Sequence, residues 1–129
     1  MSQPINIWKK YQKIDIIGSG TFGNVYKAKY NNEHFAIKEI EKINLDKNKF
    51  LSELEVIKKM ECDNCVKLIE SIETKESFYV VSELCCSNLA EYLNMRKKAF
   101  QVEELKELLI DLNKGLKVIY EKKNNTWKY

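Results

Sequence analysis

The chain has 129 residues, the size of one domain. Its 44% hydrophobic and 32% charged residues, with four glycines and one proline, exclude a disordered or collagenous polymer. Twenty-two cationic against 19 acidic side chains leave a net charge of +3, too small and too evenly spread to point to a nucleic-acid partner. Arg96 is the only arginine, whereas paired recognition of bases and phosphates favours the guanidinium fork.

In chain order, residues 11–17 (YQKIDII) and 24–30 (NVYKAKY) read as strands flanking a glycine-rich turn. Asn31 and Asn32 make a second turn before a third strand, 34–40. From about Asp46 to Met60 the period changes: Phe50, Leu54, Ile57 and Met60 recur at three- and four-residue intervals, which predicts an amphipathic helix. Two further strands, 66–73 and 78–83, are joined by the polar turn TKES. Asn88 followed by Glu91 fits a capping box opening the short helix NLAEYLNMRKK. A longer helix follows, with Val102, Leu105, Leu109, Leu112, Leu116 and Ile119 on one stripe and Leu108 alongside. That stripe either packs on this chain's own sheet or belongs to a second helical lobe that is mostly missing. The predicted fold class is α+β, a five-stranded antiparallel sheet with one helix, then two helices of an incomplete helical lobe.

No stretch approaches the roughly 18 apolar residues of a membrane span, and MSQPINIWKKYQK has no apolar leader core, so no membrane is expected. A soluble, cytoplasmic protein is the expectation. Four cysteines raise the question of metal: Cys62 and Cys65 lie in ECDNC, and Cys85 and Cys86 are adjacent. The one histidine, His34, lies elsewhere, the second pair lacks a C-x-x-C loop, and Cys65 runs directly into the apolar VKLI. Free thiols, buried or half-buried, are therefore expected, and no metal site is assigned.

GSGTFG, Gly18 to Gly23, satisfies G-x-G-x-x-G, a weak signal by itself. A dinucleotide fold would follow the third glycine with a helix, but NVYKAKY has no helical stripe. The loop is thus a strand-to-strand flap, whose glycines let backbone N–H groups approach phosphates. Ile17 and Val25 flank it and can cover an apolar base. In FAIK, Lys38 sits in an apolar strand beside Ala36, where a charge needs an anion: a phosphate ligand or a neighbouring carboxylate. Glu53 in LSELEVIKKM is one candidate. The alternative is that Lys38 snorkels to water and Glu53 is one surface glutamate among several, with Glu55 as its equal.

Taken together, these motifs resemble the N-terminal lobe of a eukaryotic protein kinase. IGSGTFGNVYKA is similar to the family's glycine loop, FAIK to its third-strand lysine motif, and Glu53 to its helix glutamate. CDNCVKLIE resembles the loop and fourth strand after that helix, and FYVVSELCCSNLAEYL the fifth strand, hinge and first helix of the large lobe. The resemblance covers residues 11 to about 122. It implies one partial kinase domain over 1–129, with the small lobe at 11–84 and the hinge and start of the large lobe at 85–129.

The resemblance implies ATP as cofactor, with Gly18, Ser19, Gly20, Thr21, Phe22, Gly23 and Asn24 over the phosphates and Lys38, paired with Glu53, on the α- and β-phosphates. Ile17, Val25 and Ala36 would pack against adenine, and Glu83 and Cys85 would bind its edge through their backbones. Ser82 would guard the back of the pocket with an unusually small side chain. Asn88 falls near the position where many members place a carboxylate toward the ribose. Ile57 and Leu68 resemble the small-lobe half of the apolar stack between lobes. Magnesium is implied too, but its ligands and the catalytic base are absent: Asp15, Asp46, Asp63 and Asp111 stand in no HRD or DFG setting. NNTWKY stands where the catalytic loop would begin.

The expectation is therefore the ATP-binding portion of a protein kinase, with serine/threonine specificity as the family's commoner outcome, inactive by itself. The alternative is a non-catalytic module that binds nucleotide or a partner. In the family the long helix packs on elements after the catalytic loop, so its apolar face is expected to meet a partner or solvent. A β-rich adaptor without nucleotide would leave the ordered motifs unexplained.

Overall fold

The computed structural model describes residues 5–21, 23–60 and 62–126. Five strands, β1 (Gln12–Gly20), β2 (Gly23–Tyr30), β3 (Glu33–Glu41), β4 (Leu68–Glu73) and β5 (Ser77–Glu83), form one antiparallel sheet in the order β1-β2-β3-β5-β4. Helix α1 (Lys47–Lys58) connects β3 to β4, and α2 (Leu89–Arg96) and α3 (Val102–Thr126) follow the sheet. This is the α+β arrangement expected from the periodicities.

Local chemistry sets the boundaries. Asn31 and Asn32 take φ of 49° and 65°, the left-handed pair that a tight two-residue hairpin needs. Asp46 caps α1 by accepting the Lys49 N–H at 3.2 Å. The capping box at α2 is complete: Asn88 accepts the Glu91 N–H at 2.8 Å, and the Glu91 carboxylate accepts the Asn88 N–H at 3.4 Å. Strand β1 runs further than its apolar residues suggest. Gly18, Ser19 and Gly20 stay in register opposite Val25, Asn24 and Gly23, because glycine lacks a side chain but keeps its ladder donor and acceptor.

Tyr26, Ala28, Phe35, Ile37 and Val81 project from one face of the sheet and are buried. They are covered by Ile7 and Tyr11, each only 2% exposed, with Trp8, Ile72 and Tyr79 packed around them. Burial of Phe35, Ile37 and Val81 stabilises the fold by about 1.5–3 kcal/mol each. Asn6 starts this covering segment by accepting the Trp8 N–H at 3.0 Å. The Trp8 ring meets Tyr26 edge-on at 5.2 Å, and the Lys13 ammonium lies 4.3 Å from both ring centres.

Beside these rings, Tyr79 and Tyr26 donate their hydroxyls to the Glu39 carboxylate at 3.0 and 3.2 Å. Burial first, and then the hydrogen bond to Glu39, push the Tyr79 phenol from 10.0 up to about 12. The folded phenol keeps its proton where the unfolded one has lost it. Its contribution is therefore complete below pH 10 and is lost as pH rises towards about 12. Urea unfolding at stepped pH should show a steeper loss of stability across this window in the native chain than in Tyr79→Phe.

The opposite face carries Ile40 and Phe78, with Phe50 of α1 against Phe78 at a ring separation of 4.8 Å. The helical stripe is rotated from the one expected. Leu54 and Val56 are buried, while Ile57 is 38% exposed and opens onto a cavity.

Helix α3 touches the rest of the chain over a short stretch. Gly115 is buried, and a Cβ there would stand 2.7 Å from the Asn64 carbonyl oxygen, so this turn of α3 approaches the loop before β4 more closely than a side chain allows. The Cys65 thiol lies 3.7 Å from the Gly115 carbonyl. Leu109 and Leu116 remain 61% and 56% exposed, so the stripe does not pack on the sheet.

Candidate functional site

The β1–β2 hairpin, β3 and the segment after β5 enclose a cleft of roughly 770 Å³. Its floor follows from strand register. Ala36 pairs with Lys27 on one side and Ser82 on the other, so the three side chains share one face. Ile17 comes in from β1, Glu83 ends β5, and Cys85 and Asn88 follow. Six residues singled out in the sequence, Ile17, Ala36, Ser82, Glu83, Cys85 and Asn88, thus line one cleft although they span 72 positions (88 less 17, plus one).

The polar groups at its edge are differently committed. The Glu83 N–H donates to the Lys67 carbonyl at 3.0 Å, and the Glu83 carboxylate accepts the Lys67 N–H at 2.9 Å. The Cys85 N–H has no partner among the described residues. Asn88 spends its side-chain oxygen on capping α2, and Glu91 joins Glu83 as a second acidic residue in the lining.

Other residues expected at the site lie beside the cleft. Gly18, Ser19, Gly20, Gly23 and Asn24 form the paired end of the hairpin, and Thr21 lies in its turn. Phe22 lies outside the described residues. Val25 sits opposite both Gly18 and Lys38. Gly18 and Gly20 have room for a Cβ, whereas Gly23 has none: its φ is +141°, and a Cβ would lie 2.0 Å from the Glu39 carbonyl oxygen.

Lys38 is exposed, flanked in register by Val25 and Val80. Among the described residues no ion pair joins it to Glu53. The two glutamates of α1 are nevertheless not equivalent. Glu55 lies 4.0 Å from Lys58 on the helix surface, whereas Glu53 lines a second cavity of roughly 540 Å³ between α1, β4, β5 and α3. Ile57 and Leu68 also line it, as do Leu112 and Leu116 of α3. Ser82 borders both cavities, so on β5 only a hydroxymethyl group stands between them.

Several lining residues went unnoticed in the sequence, among them Val66, Leu84 and Ser87 as well as Lys27 and Glu91. Lys27 reads as the polar half of an alternating strand, and only the register with Ala36 shows that this half faces the cleft. Glu91 was read as a capping residue, and capping is what brings its carboxylate to the cleft rim. Among the described residues no three histidine, cysteine, aspartate or glutamate side chains cluster as metal ligands. No helix among them is long and apolar enough to cross a membrane.

Comparison with known proteins gives one answer. The family model for the protein kinase domain matches residues 11–124. Cyclin-dependent kinase F-3 of Oryza sativa subsp. japonica is 33% identical over 117 residues, covering 84% of this chain and 26% of the relative. Cyclin-dependent kinase 9 of Bos taurus is 33% identical over 128 residues, covering 88% of this chain and 34% of the relative. Cyclin-dependent kinase 9 of Danio rerio is 32% identical over 132 residues, covering 90% and 35%. The chain thus spans about a quarter to a third of the length of the relatives it matches. With its sheet, its glycine hairpin and nearly its whole length matched, the chain belongs to the protein kinase domain family.

Proposed function

We propose that these residues are the ATP-binding portion of a serine/threonine protein kinase. The observation that carries this reading is the convergence of Ile17, Ala36, Glu83 and Cys85 on one cleft with an unpaired N–H at its edge. Ile17 and Ala36 would pack against a planar base. The Cys85 N–H and Glu83 carbonyl would supply a donor and an acceptor two residues apart along its rim. The β1–β2 hairpin presents glycine backbone, with room above Gly20, to the phosphates. Lys38, one strand position beyond the cleft floor, would neutralise phosphate charge. Glu53 would orient Lys38 once α1 closes the space now occupied by the second cavity. ATP, when bound, carries the γ-phosphoryl group that a complete enzyme passes to a protein hydroxyl. Lys27 and Glu91 complete the cleft wall as a cation and an anion on its opposite sides.

The relatives named cyclin-dependent kinases suggest a cyclin-type partner for the whole protein, with closure of α1 onto Lys38 as the step that such a partner would drive. The exposed Leu109 and Leu116 on α3 are a second surface for partner contact. Use of ATP places the protein inside the cell, and a cytoplasmic location is part of the same proposal. The described residues do not fit magnesium, because no cluster of ligands is found among them, and no step is assigned to it.

Phosphoryl transfer relies on positioning and charge neutralisation by a base and metal ligands that these 129 residues lack. The chain by itself should therefore incorporate no more labelled phosphate into a mixed protein substrate than its Lys38→Ala variant does. Incorporation above that control would overturn this part of the reading.

A further inference from the structure

Cys62 and Cys65 take no part in the nucleotide site, and the structure brings them together. After α1 the chain turns through residues 62–65, closed by the Cys65 N–H donating to the Cys62 carbonyl at 3.2 Å. Such a four-residue turn keeps its end Cα atoms within about 7 Å, which overlaps the separation that a disulfide spans. The Asn64 N–H points at the Cys62 sulfur at 3.4 Å. Both cysteines are half-buried and free, so a small reagent can reach them. Burial, and then a hydrogen bond to Cys62, push the Cys65 thiol up, so it stays protonated beside its neighbour. The other pair differs. Cys85 and Cys86 are adjacent and exposed at the cleft, where a bond between them would require a strained ring.

We propose that Cys62 and Cys65 form a thiol–disulfide exchange site that low-molecular-weight disulfides of the glutathione class oxidise to an intrachain bond. Cys62 releases its proton to water, and its thiolate attacks one sulfur of the disulfide R–S–S–R. A Cys62–S–S–R bond forms and RS⁻ leaves. Cys65 then gives up its proton, and its thiolate attacks the Cys62 sulfur. The Cys62–Cys65 bond forms, and a second RS⁻ leaves. Two protein thiols are oxidised, one small disulfide is reduced to two thiols, and the two released protons go to the leaving thiolates. The bond joins the exit of α1 to the entry of β4 and draws on the sulfur that now touches Gly115 of α3.

The test equilibrates the chain with glutathione and graded glutathione disulfide, quenches with acid, blocks free thiols with N-ethylmaleimide and digests with trypsin. Cleavage after Lys59 and Lys67 isolates Cys62 and Cys65 in the peptide 60–67, apart from Cys85 and Cys86 in the peptide 76–96. The expected peptide 60–67 carries no label and weighs about 2 Da less than its reduced form, while 76–96 carries two labels. At fixed glutathione, half closure should need at least about tenfold less glutathione disulfide in the folded chain than in urea, because the fold presets the turn. Cys65→Ser should stop at a Cys62–glutathione mixed disulfide. Equal closure in the folded chain and in urea, two labels on 60–67 throughout, or closure onto Cys85 or Cys86 would each overturn the proposal.

Discussion

Replacing Ala36 by tyrosine should abolish adenine-nucleotide binding while leaving the sheet folded. Ala36 stands between Lys27 and Ser82 on the cleft floor, and it is the smallness of its side chain that leaves the floor flat. A phenol ring there occupies the space a base would take, and its backbone still pairs in the middle of β3, where an aromatic residue is well tolerated. The expected loss is at least about 100-fold in affinity, or about 2.7 kcal/mol. Titration calorimetry with ATP measures it, and circular dichroism shows whether the sheet persists. An unchanged affinity in a folded variant would remove the cleft from the account.

The second large effect concerns the fold and falls on a glycine that the motif alone assigns to phosphates. Gly23→Ala should destabilise the chain by more than about 3 kcal/mol, at or beyond the upper end of the usual 1–3 kcal/mol for backbone strain alone. The added Cβ meets the Glu39 carbonyl oxygen at 2.0 Å and its carbon at 3.0 Å, and both belong to a backbone held in β3. Relief would require separating β2 from β3 near the edge of the cleft. Gly20→Ala is the control. Nothing lies within 4 Å of its Cβ, so stability should change by less than about 1 kcal/mol. Chemical denaturation of both variants decides the matter. Equal losses would show that the tight approach at Gly23 is not what holds the hairpin.

These two glycines show where the sequence was legible and where it was not. G-x-G-x-x-G announces a turn with a special backbone, but whether a given glycine serves the chain or a ligand depends on what lies across the sheet. The strands could be read because β-branched and aromatic residues alternate between turns whose asparagines accept positive φ. Likewise Asn88 and Glu91 announce the start of α2 through a hydrogen-bonding pattern confined to four residues. Contacts distant in sequence carry no such mark. Ile7 and Trp8 sit in a polar-looking N-terminal stretch, and nothing local shows that they cover the sheet.

The same limit applies to the helices and the site. Val56 rather than Ile57 is buried in α1, and Ile57 is left over a cavity, a choice the helical period cannot make by itself. Gly115 is where α3 approaches the loop at Asn64, a contact that nothing in the helical pattern announces. At the cleft, residues that the resemblance assigns to the base come together because strand pairing sets Ala36 beside Ser82 and the chain after β5 continues along the same rim. The partners of Lys38 were not legible, because an ion pair between a strand and a helix depends on where the helix sits. Here α1 sits with Glu53 in a cavity lining and Lys38 exposed.

If the cleft floored by Ala36 receives the nucleotide base, residue-resolved titration of the isotopically labelled chain with ATP should give saturable amide shifts concentrated at Ile17, Ala36 and residues 83–88, with the Cys85 amide among the largest. Shifts confined to the cavity between α1 and α3, or no saturable shifts at millimolar ATP, would contradict it.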